Sequence, residues 1–419
     1  LHKNLKIDSG ALTLALSHAL DLAEPRLANH QERVAFIVWR MGLTGKLQDK
    51  KIRNYFVAAL YHDIGAFSLK EKRALLNFEF GNVDLHCVRG YNLLKNTFWL
   101  TKTAEIVKHH HKSWEWWKKE SRDLIDEIVL GAQLICLADY VDRLIDRKTC
   151  ILQQKKHITD EILSLTGKEF HKYVVDLFIE NAKQEDFWLT LRSEWLTRLL
   201  LTDGPLRKEE MNIEVLLPVS ELFRDAIDFR SRFTATHSAG VAIAASSIGE
   251  IMGLSEIDRE LLEISGNLHD IGKFAIPDKL LEKKGKLNEI EKEILKSHVF
   301  YTFSILNSVK GLEKVTQWAG FHHEKLNGTG YPFHLKEDNI DTGARIVMIA
   351  DIFTALIEER PYRKKLVKNE VKKILNDMVN RGEIDDKIVK LLLSNYEYVF
   401  DKVTEAQKKA IHRFEKQFA

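Results

Sequence analysis

The sequence predicts an all-α protein built as two tandem helical domains, and three observations carry that prediction. Apolar residues recur at intervals of three and four along most segments, no stretch alternates with period two for long, and one set of His and Asp residues occurs twice. The periodicity is plain in Leu12, Leu16 and Leu20, and again in Trp188, Leu191, Trp195 and Leu199. At 419 residues the chain is long for a single core and suits two domains. Thr202-Asp203-Gly204-Pro205, followed by the charged stretch Arg207 to Glu210, marks the joint and gives domains 1–205 and 206–419. Just beyond it, Ile213 to Leu217 is apolar enough to form a short connecting element that packs.

The duplicated set reads His30, His62-Asp63, His86, His110-His111 and Asp139 in the first half. In the second half it reads His237, His269-Asp270, His298, His322-His323 and Asp351. Both copies have 32 residues from the first His to the His-Asp pair, 24 from the lone His to the His-His pair, and 28 from that pair to the last Asp. The interval after the His-Asp pair differs, 24 against 29, a change that a loop absorbs. Around the second copy cluster Gly272, Pro277, Gly285, Gly328, Gly330, Pro332 and Pro361, so its catalytic residues are expected at helix ends and in loops. Seven of the eight tryptophans precede residue 200, with Trp114, Trp116 and Trp117 just after the first His pair, so the copies have diverged in surface and role.

Composition narrows the function. The 63 basic and 61 acidic residues leave a net charge of +2, too little to draw the protein to duplex nucleic acid or to anionic lipid, so an anionic ligand must be held locally. Cys87, Cys136 and Cys150 are odd in number and lack CxxC spacing, which fits a reducing cytoplasm and argues against thiolate metal ligation. No apolar run approaches the roughly 20 residues of a membrane span, and no signal segment opens the chain, so a soluble, cytoplasmic protein is expected. The start at Leu1 rather than methionine is compatible with a piece of a longer protein.

Imidazoles and carboxylates without thiolates suit Mn, Fe, Ni, Zn or Mg acting on phosphate esters. Two such ions about 3.5 to 4 Å apart can share a hydroxide and neutralise phosphoryl charge, and an Asp directly after a His can reach both. Stray histidines such as His18, His157, His171 and His412 are expected to be ordinary surface or helix residues. Lys273, one turn past the second His-Asp pair, is a cation placed to stabilise transition-state charge or to protonate the leaving oxygen. Gly328 and Gly330 allow positive backbone angles and close approach to a ligand, and Pro332 stiffens the turn that aims Tyr331. Arg360 and Arg363 can clamp phosphate in bidentate fashion, or form a helix-end surface around Pro361.

The run His269-Asp270-Ile271-Gly272-Lys273, Ile276-Pro277-Asp278, His298, His322-His323-Glu324, Gly328, Gly330-Tyr331-Pro332, Ala350-Asp351 and Arg360-Pro361-Tyr362-Arg363 resembles the HD-GYP phosphodiesterases over about residues 219 to 400. That resemblance implies a helical HD domain, preceded by a diverged HD domain, that linearises cyclic di-GMP or 3′,3′-cyclic GMP-AMP. It implies one metal on His237, His269, Asp270 and Asp351, a second on His298, His322 and His323, and Asp270 bridging. It also implies that Lys273, Tyr331, Arg360 and Arg363 face the substrate. Two departures stand out. Phe233 occupies the place of a glutamate found in trinuclear members, so two divalent ions are expected; Thr354 occupies the place of a usual aspartate and weakens a supporting or proton-handling role there.

The tandem arrangement is similar to certain phosphodiesterases of cyclic GMP-AMP. The alternative of a non-catalytic cyclic dinucleotide receptor draws its support from Thr354, against which stand the intact ligand set, Lys273 and the Gly-Tyr-Pro loop. In the first copy the candidate ligands persist, but Ala66 replaces Lys273, Lys112-Ser113-Trp114-Glu115-Trp116-Trp117 replaces the loop, and Lys148 and Ile151 stand for Arg360 and Arg363. Asp142 retains the carboxylate that Thr354 lacks. A regulatory or homodimer-forming domain with a bound ion is expected there; separate phosphohydrolase activity is the alternative. The tryptophans are expected in the core or at an interface.

Overall fold

The structure, a computed structural model, describes residues 6–22, 24, 28–76, 83–207, 209–230, 236–283, 285–359 and 365–418. Among these are twenty-two α-helices and one two-stranded antiparallel sheet, in which Ile7 faces Met211 and Asp8 faces Glu210. The chain is all-α, as its periodicity predicts. No helix among the described residues is long and apolar enough to cross a membrane. Arg360, Pro361, Arg363 and Phe233 lie outside the described residues.

Two compact units form, Ser9–Glu209 and Glu210–Ala419, the latter joined by the strand Ile7–Asp8. The run at residues 202–205 closes the helix Leu196–Thr202, and the units divide after Glu209, where pairing of Glu210-Met211 with Ile7-Asp8 commits the following residues to the second unit. Ile213 to Leu217 is no separate connector; it opens the helix Ile213–Asp228, capped by Asn212, whose side chain accepts from Val215 N at 3.2 Å. The stripe Trp188 to Leu199 is likewise not one helix. It breaks into Glu185–Leu191 and Leu196–Thr202, with Ser193 Oγ accepting from Trp195 N at 3.0 Å and Trp195 left 67% exposed. A hydroxyl that bonds the backbone two residues on competes with the helical ladder.

In the first unit the helix His30–Thr44 buries Val34 through Val38 on all sides, and Phe36 stacks on Phe187 with centroids 5.8 Å apart. Asp49–Leu60 and Glu127–Leu144 pack against it. The second unit is organised around His237–Ile251, whose small residues let neighbours approach backbone to backbone. A Cβ on Gly266 would stand 2.5 Å from Ala242 Cα, so the helix Glu256–Leu268 crosses it where only glycine fits. Thr342–Ile357 and Tyr396–Phe418 cover its other sides.

Local signals fix where the site-bearing helices start. Asn288 and Glu291 form a reciprocal capping box at the start of Glu289–Asn307, each side chain accepting the other's backbone N–H at 2.8 Å. Asp341 caps Thr342–Ile357 through Ala344 N at 2.9 Å, and its second oxygen takes the Trp318 indole N–H at 2.8 Å. His171, one of the stray histidines, caps Lys172–Ala182 by accepting from Tyr173 N at 2.9 Å.

Candidate functional site

Five of the seven histidines and aspartates of the second copy sit at helix ends. His237 is the first residue of its helix, His269 and Asp270 follow Glu256–Leu268, and His322 and His323 follow Glu313–Gly320. The other two depart from the expectation: His298 lies inside Glu289–Asn307 and Asp351 inside Thr342–Ile357. Six of the seven are buried, and His323 is nearly so.

The fold draws all seven together. His237, His269 and Asp351 form one group, His298, His322 and His323 another, and His269, Asp270 and His322 link them, with ligand atoms in each group within 4.8 Å of one another. Asp270 presents Oδ2 to His269 Nε2 at 3.2 Å and Oδ1 to His298 Nε2 at 3.3 Å, so one carboxylate faces both groups.

Ring orientation follows one rule. His269 Nδ1 lies 2.8 Å from the Gly266 carbonyl, His298 Nδ1 2.5 Å from Leu295 O, and His322 Nδ1 2.6 Å from Ala319 O, in each case three residues upstream. A carbonyl accepts only, so it fixes the proton on Nδ1 and turns the Nε2 lone pair into the cluster. His237 differs: its Nδ1 lies 3.0 Å from Glu358 Oε2, and its Nε2 3.0 Å from Asp351 Oδ1. Glu358 is a site residue that the sequence reading missed, because nothing local ties it to a residue 121 positions away.

The electrostatics ask for positive charge. Burial disfavours a charged His237, yet Glu358 and Asp351 outweigh it and raise the imidazole to about 10. Burial likewise opposes ionised Asp270, but His269 and Lys273 hold its carboxyl well below the ordinary range. His322 is pushed well down by burial and its histidine neighbours, and burial together with His298 brings His323 to about 4, leaving both as neutral rings. The buried His322 Nε2 has no hydrogen-bond partner, an expensive state unless a cation takes its lone pair. The neutral rings of His322 and His323, the ionised Asp270, the orphaned nitrogen and the pull of Glu358 and Asp351 for positive charge at His237 fit divalent metal ions.

Around this cluster, Lys273 lies on the 3₁₀ turn Ile271–Ala275 and its ammonium pairs with Asp270 Oδ2. Arg230 pins that turn, donating to the Lys273 carbonyl at 2.7 Å and the Ile276 carbonyl at 3.1 Å. The Gly-Tyr-Pro loop is held by Glu324, 1% exposed, whose oxygens accept Phe333 N at 2.7 Å and Leu335 N at 2.9 Å. Gly328 has a φ of 78°, while Gly330 packs where a Cβ would lie 2.3 Å from Lys325 N. Tyr331 donates its N–H to the His323 carbonyl at 3.1 Å and sets its ring 5.1 Å from the His323 ring, with the Lys296 ammonium 5.6 Å from its centroid.

The first copy gathers its residues too. His30, His62 and Asp63 form one group and His86, Cys87, His110 and His111 another. Asp139 Oδ1 lies 3.5 Å from His30 Nε2, while its Oδ2 is tied to Arg143 at 2.7 Å. The upstream-carbonyl rule recurs, His62 with Ala59 O at 2.8 Å and His110 with Val107 O at 2.6 Å, and His62 Nε2 is buried without a partner. Cys87, set aside as a ligand by composition, stands within this group, its Sγ 3.6 Å from His86 Nε2 and His110 Nδ1; burial pushes its thiol well up, which disfavours a thiolate. The segment in place of the Gly-Tyr-Pro loop is a short helix, Trp114–Lys119, with Trp117 buried against Val129 and Ala132 and Trp114 and Trp116 packed beside it. Ala66 is buried and Lys148 offers no clamp with Ile151, which is 4% exposed.

Two stretches, residues 27–144 and 221–388, match models of the HD domain. The chain is 31% identical over 389 residues to 3′3′-cGAMP-specific phosphodiesterase 1 of Vibrio cholerae, covering 91% of this chain and 90% of that one. It is 25% identical over 407 residues to 3′3′-cGAMP-specific phosphodiesterase 3 of the same organism, covering 84% and 87%. A cyclic di-GMP phosphodiesterase of Thermotoga maritima is 37% identical over 217 residues, 50% of this chain and 55% of its own length. The crystal structure of a cyclic GMP-AMP specific phosphodiesterase of V. cholerae shares the fold, with a TM-score of 0.62 at 22% identity over 93% of this chain and 98% of that one.

Proposed function

The chain belongs to the HD-GYP family of phosphodiesterases, and from that premise we propose that its second unit hydrolyses a cyclic dinucleotide to a linear one, with 3′,3′-cyclic GMP-AMP the first substrate to test and cyclic di-GMP the second. The observation that carries the reading is Asp270, whose two oxygens address two groups of buried imidazoles while Lys273 stands against one of them. That arrangement supports two divalent ions, one at His237, His269 and Asp351 and one at His298, His322 and His323, with Asp270 common to both. Such ions supply Lewis-acid stabilisation of phosphoryl charge and a nucleophile from water at neutral pH.

The remaining work falls to this chain's own groups. Lys273 brings a cation to the edge of the cluster, where charge develops on the scissile phosphate. Burial pushes the Tyr331 phenol up, so it stays protonated as a donor toward phosphate or base, and its ring offers a stacking face. The likeness to a cyclic GMP-AMP phosphodiesterase over 91% of the chain supports that substrate over cyclic di-GMP, whose enzyme from T. maritima is matched over 50% of it. In the first unit, buried Ala66 and the Trp114–Lys119 helix stand where the second unit has Lys273 and the Gly-Tyr-Pro loop, which supports a regulatory role for that domain.

The test is product analysis with each cyclic dinucleotide in Mn or ferrous iron, against an Asp270→Ala control. Turnover of either that is lost in the control bears the proposal out. Tight binding of both without turnover, in metal-loaded protein, would replace it with a receptor.

A further inference from the structure

Comparing the two copies isolates one residue. In the first copy His30 opens its helix and its Nδ1 lies 2.7 Å from Asp142 Oδ2; Asp142 follows the candidate ligand Asp139 by three residues on Glu127–Leu144. In the second copy His237 also opens its helix, but the matching position is Thr354, fully buried, with Oγ1 lacking any hydrogen-bond partner. Its methyl packs on Gly240, where a Cβ would lie 2.7 Å from Thr354 Cγ2. The carboxylate on His237 Nδ1 comes instead from Glu358, one helical turn further on, at 3.0 Å. Glu358 is 8% exposed and its other oxygen accepts the Gln407 amide at 2.6 Å. The first copy has Asp146 at that place, exposed and accepting Lys148 N at 2.9 Å, so each copy draws its carboxylate from only one of the two positions.

We infer that Glu358 is the positioning residue for His237, taking over through a longer side chain one turn later the work that Asp142 does for His30, so that the second unit holds its metal despite Thr354. The reason such a carboxylate is needed lies in the backbone. His269, His298 and His322 borrow a carbonyl three residues upstream, whereas His237, the first residue of its helix, takes its acceptor from the end of Thr342–Ile357. Glu358 keeps the proton on Nδ1, aims Nε2 at Asp351, and is in turn held by Gln407. Thr354 then carries no defect in the site; its carboxylate has moved along the helix.

The inference rests on the proposed metal site and is tested by metal affinity, without substrate. Mn titration calorimetry on the full chain first identifies the sites of the second unit as those abolished by Asp270→Ala; no such sites in the native protein would remove the metal reading itself. Glu358→Ala then weakens those sites about 10- to 100-fold, and Glu358→Gln less, since an amide oxygen still accepts. Adding Thr354→Asp to Glu358→Ala restores affinity to within about threefold of native, as a relocated acceptor should. Native affinity in Glu358→Ala, or no recovery in the folded double variant, overturns the assignment. If Glu358→Ala does not fold, the same comparison is made between Glu358→Gln and Thr354→Asp/Glu358→Gln, with the same two overturning results.

Discussion

Gly272 and His298 meet backbone to backbone: a Cβ on residue 272 would lie 1.9 Å from the His298 carbonyl oxygen and 2.6 Å from the Thr302 amide nitrogen. Thr302 completes the lock, its hydroxyl accepting Gly272 N at 3.0 Å and donating to the His269 carbonyl at 2.8 Å. The His-Asp pair is thereby keyed directly to the helix that carries the next histidine. The first copy repeats the contact, since a Cβ on Gly65 would lie 2.1 Å from the His86 carbonyl oxygen, which explains why a glycine follows both His-Asp pairs at the same distance.

Gly272→Ala should therefore destabilise the second unit by about 3 kcal/mol, because the methyl meets backbone that cannot rotate aside, and should lower metal affinity with it. Urea unfolding and metal titration read the two effects. A native midpoint in this variant would show that the turn and the helix are less tightly keyed than described.

Glu324→Ala should separate substrate handling from metal binding. Its buried carboxylate holds the amides of Phe333 and Leu335 at the edge of the loop, and removing it loses two hydrogen bonds to a charged group, about 1.5–3 kcal/mol each. The expected result is a fall in kcat/KM for the cyclic dinucleotide of about 10- to 100-fold, with Mn affinity close to native. Equal loss of both would place Glu324 in the metal site's own support.

Lys273→Met should leave metal content unchanged and lower kcat by about 10²- to 10³-fold, since the ammonium stands against Asp270 at the edge of the cluster, at the place of buried Ala66 in the first copy. Single-turnover kinetics in metal-loaded protein check this. An unchanged kcat would reduce Lys273 to a partner of the Asp270 carboxylate.

Metal removal should cost stability. Orphaned nitrogens such as His322 Nε2, and carboxylates held ionised within the fold, are satisfied by a dication, so Mn at a hundred times its Kd should add about 2.7 kcal/mol. For a unit of this size that is a rise in Tm of roughly 5–10 °C. Scanning calorimetry with and without chelator reads it, and an unmoved Tm would count against a bound ion in the folded state.

Much of the site was legible in the chain because its signals are local or periodic. Adjacent pairs such as His269-Asp270 and His322-His323, repeated intervals, and the glycines of the Gly328 to Pro332 loop are visible without knowing which helices touch. The misreadings share a cause as well. Trp188 to Leu199 has helical periodicity, but a single serine hydroxyl diverts the backbone at Ser193. The boundary shifted from residue 205 to Glu209 because a two-residue strand pairs with Ile7-Asp8, a contact between distant parts of the chain. Cys87 is not among them: packing brings its sulfur to His86 and His110, but burial pushes its thiol up and disfavours the thiolate that composition argued against.

By itself, then, the sequence determined an all-α chain with two copies of one set of candidate ligands and a Gly-Tyr-Pro loop on the second alone, because residue types, helical periods and short intervals are properties of the chain as written. Tertiary structure decided how those candidate ligands are aimed. That Asp270 addresses both imidazole groups, that Glu358 and not residue 354 meets His237, and that Glu324 holds the Tyr331 loop follow from helices crossing at fixed positions. Contacts over 121 residues, such as His237 with Glu358, are set by packing, and spacing along the chain carries no trace of them.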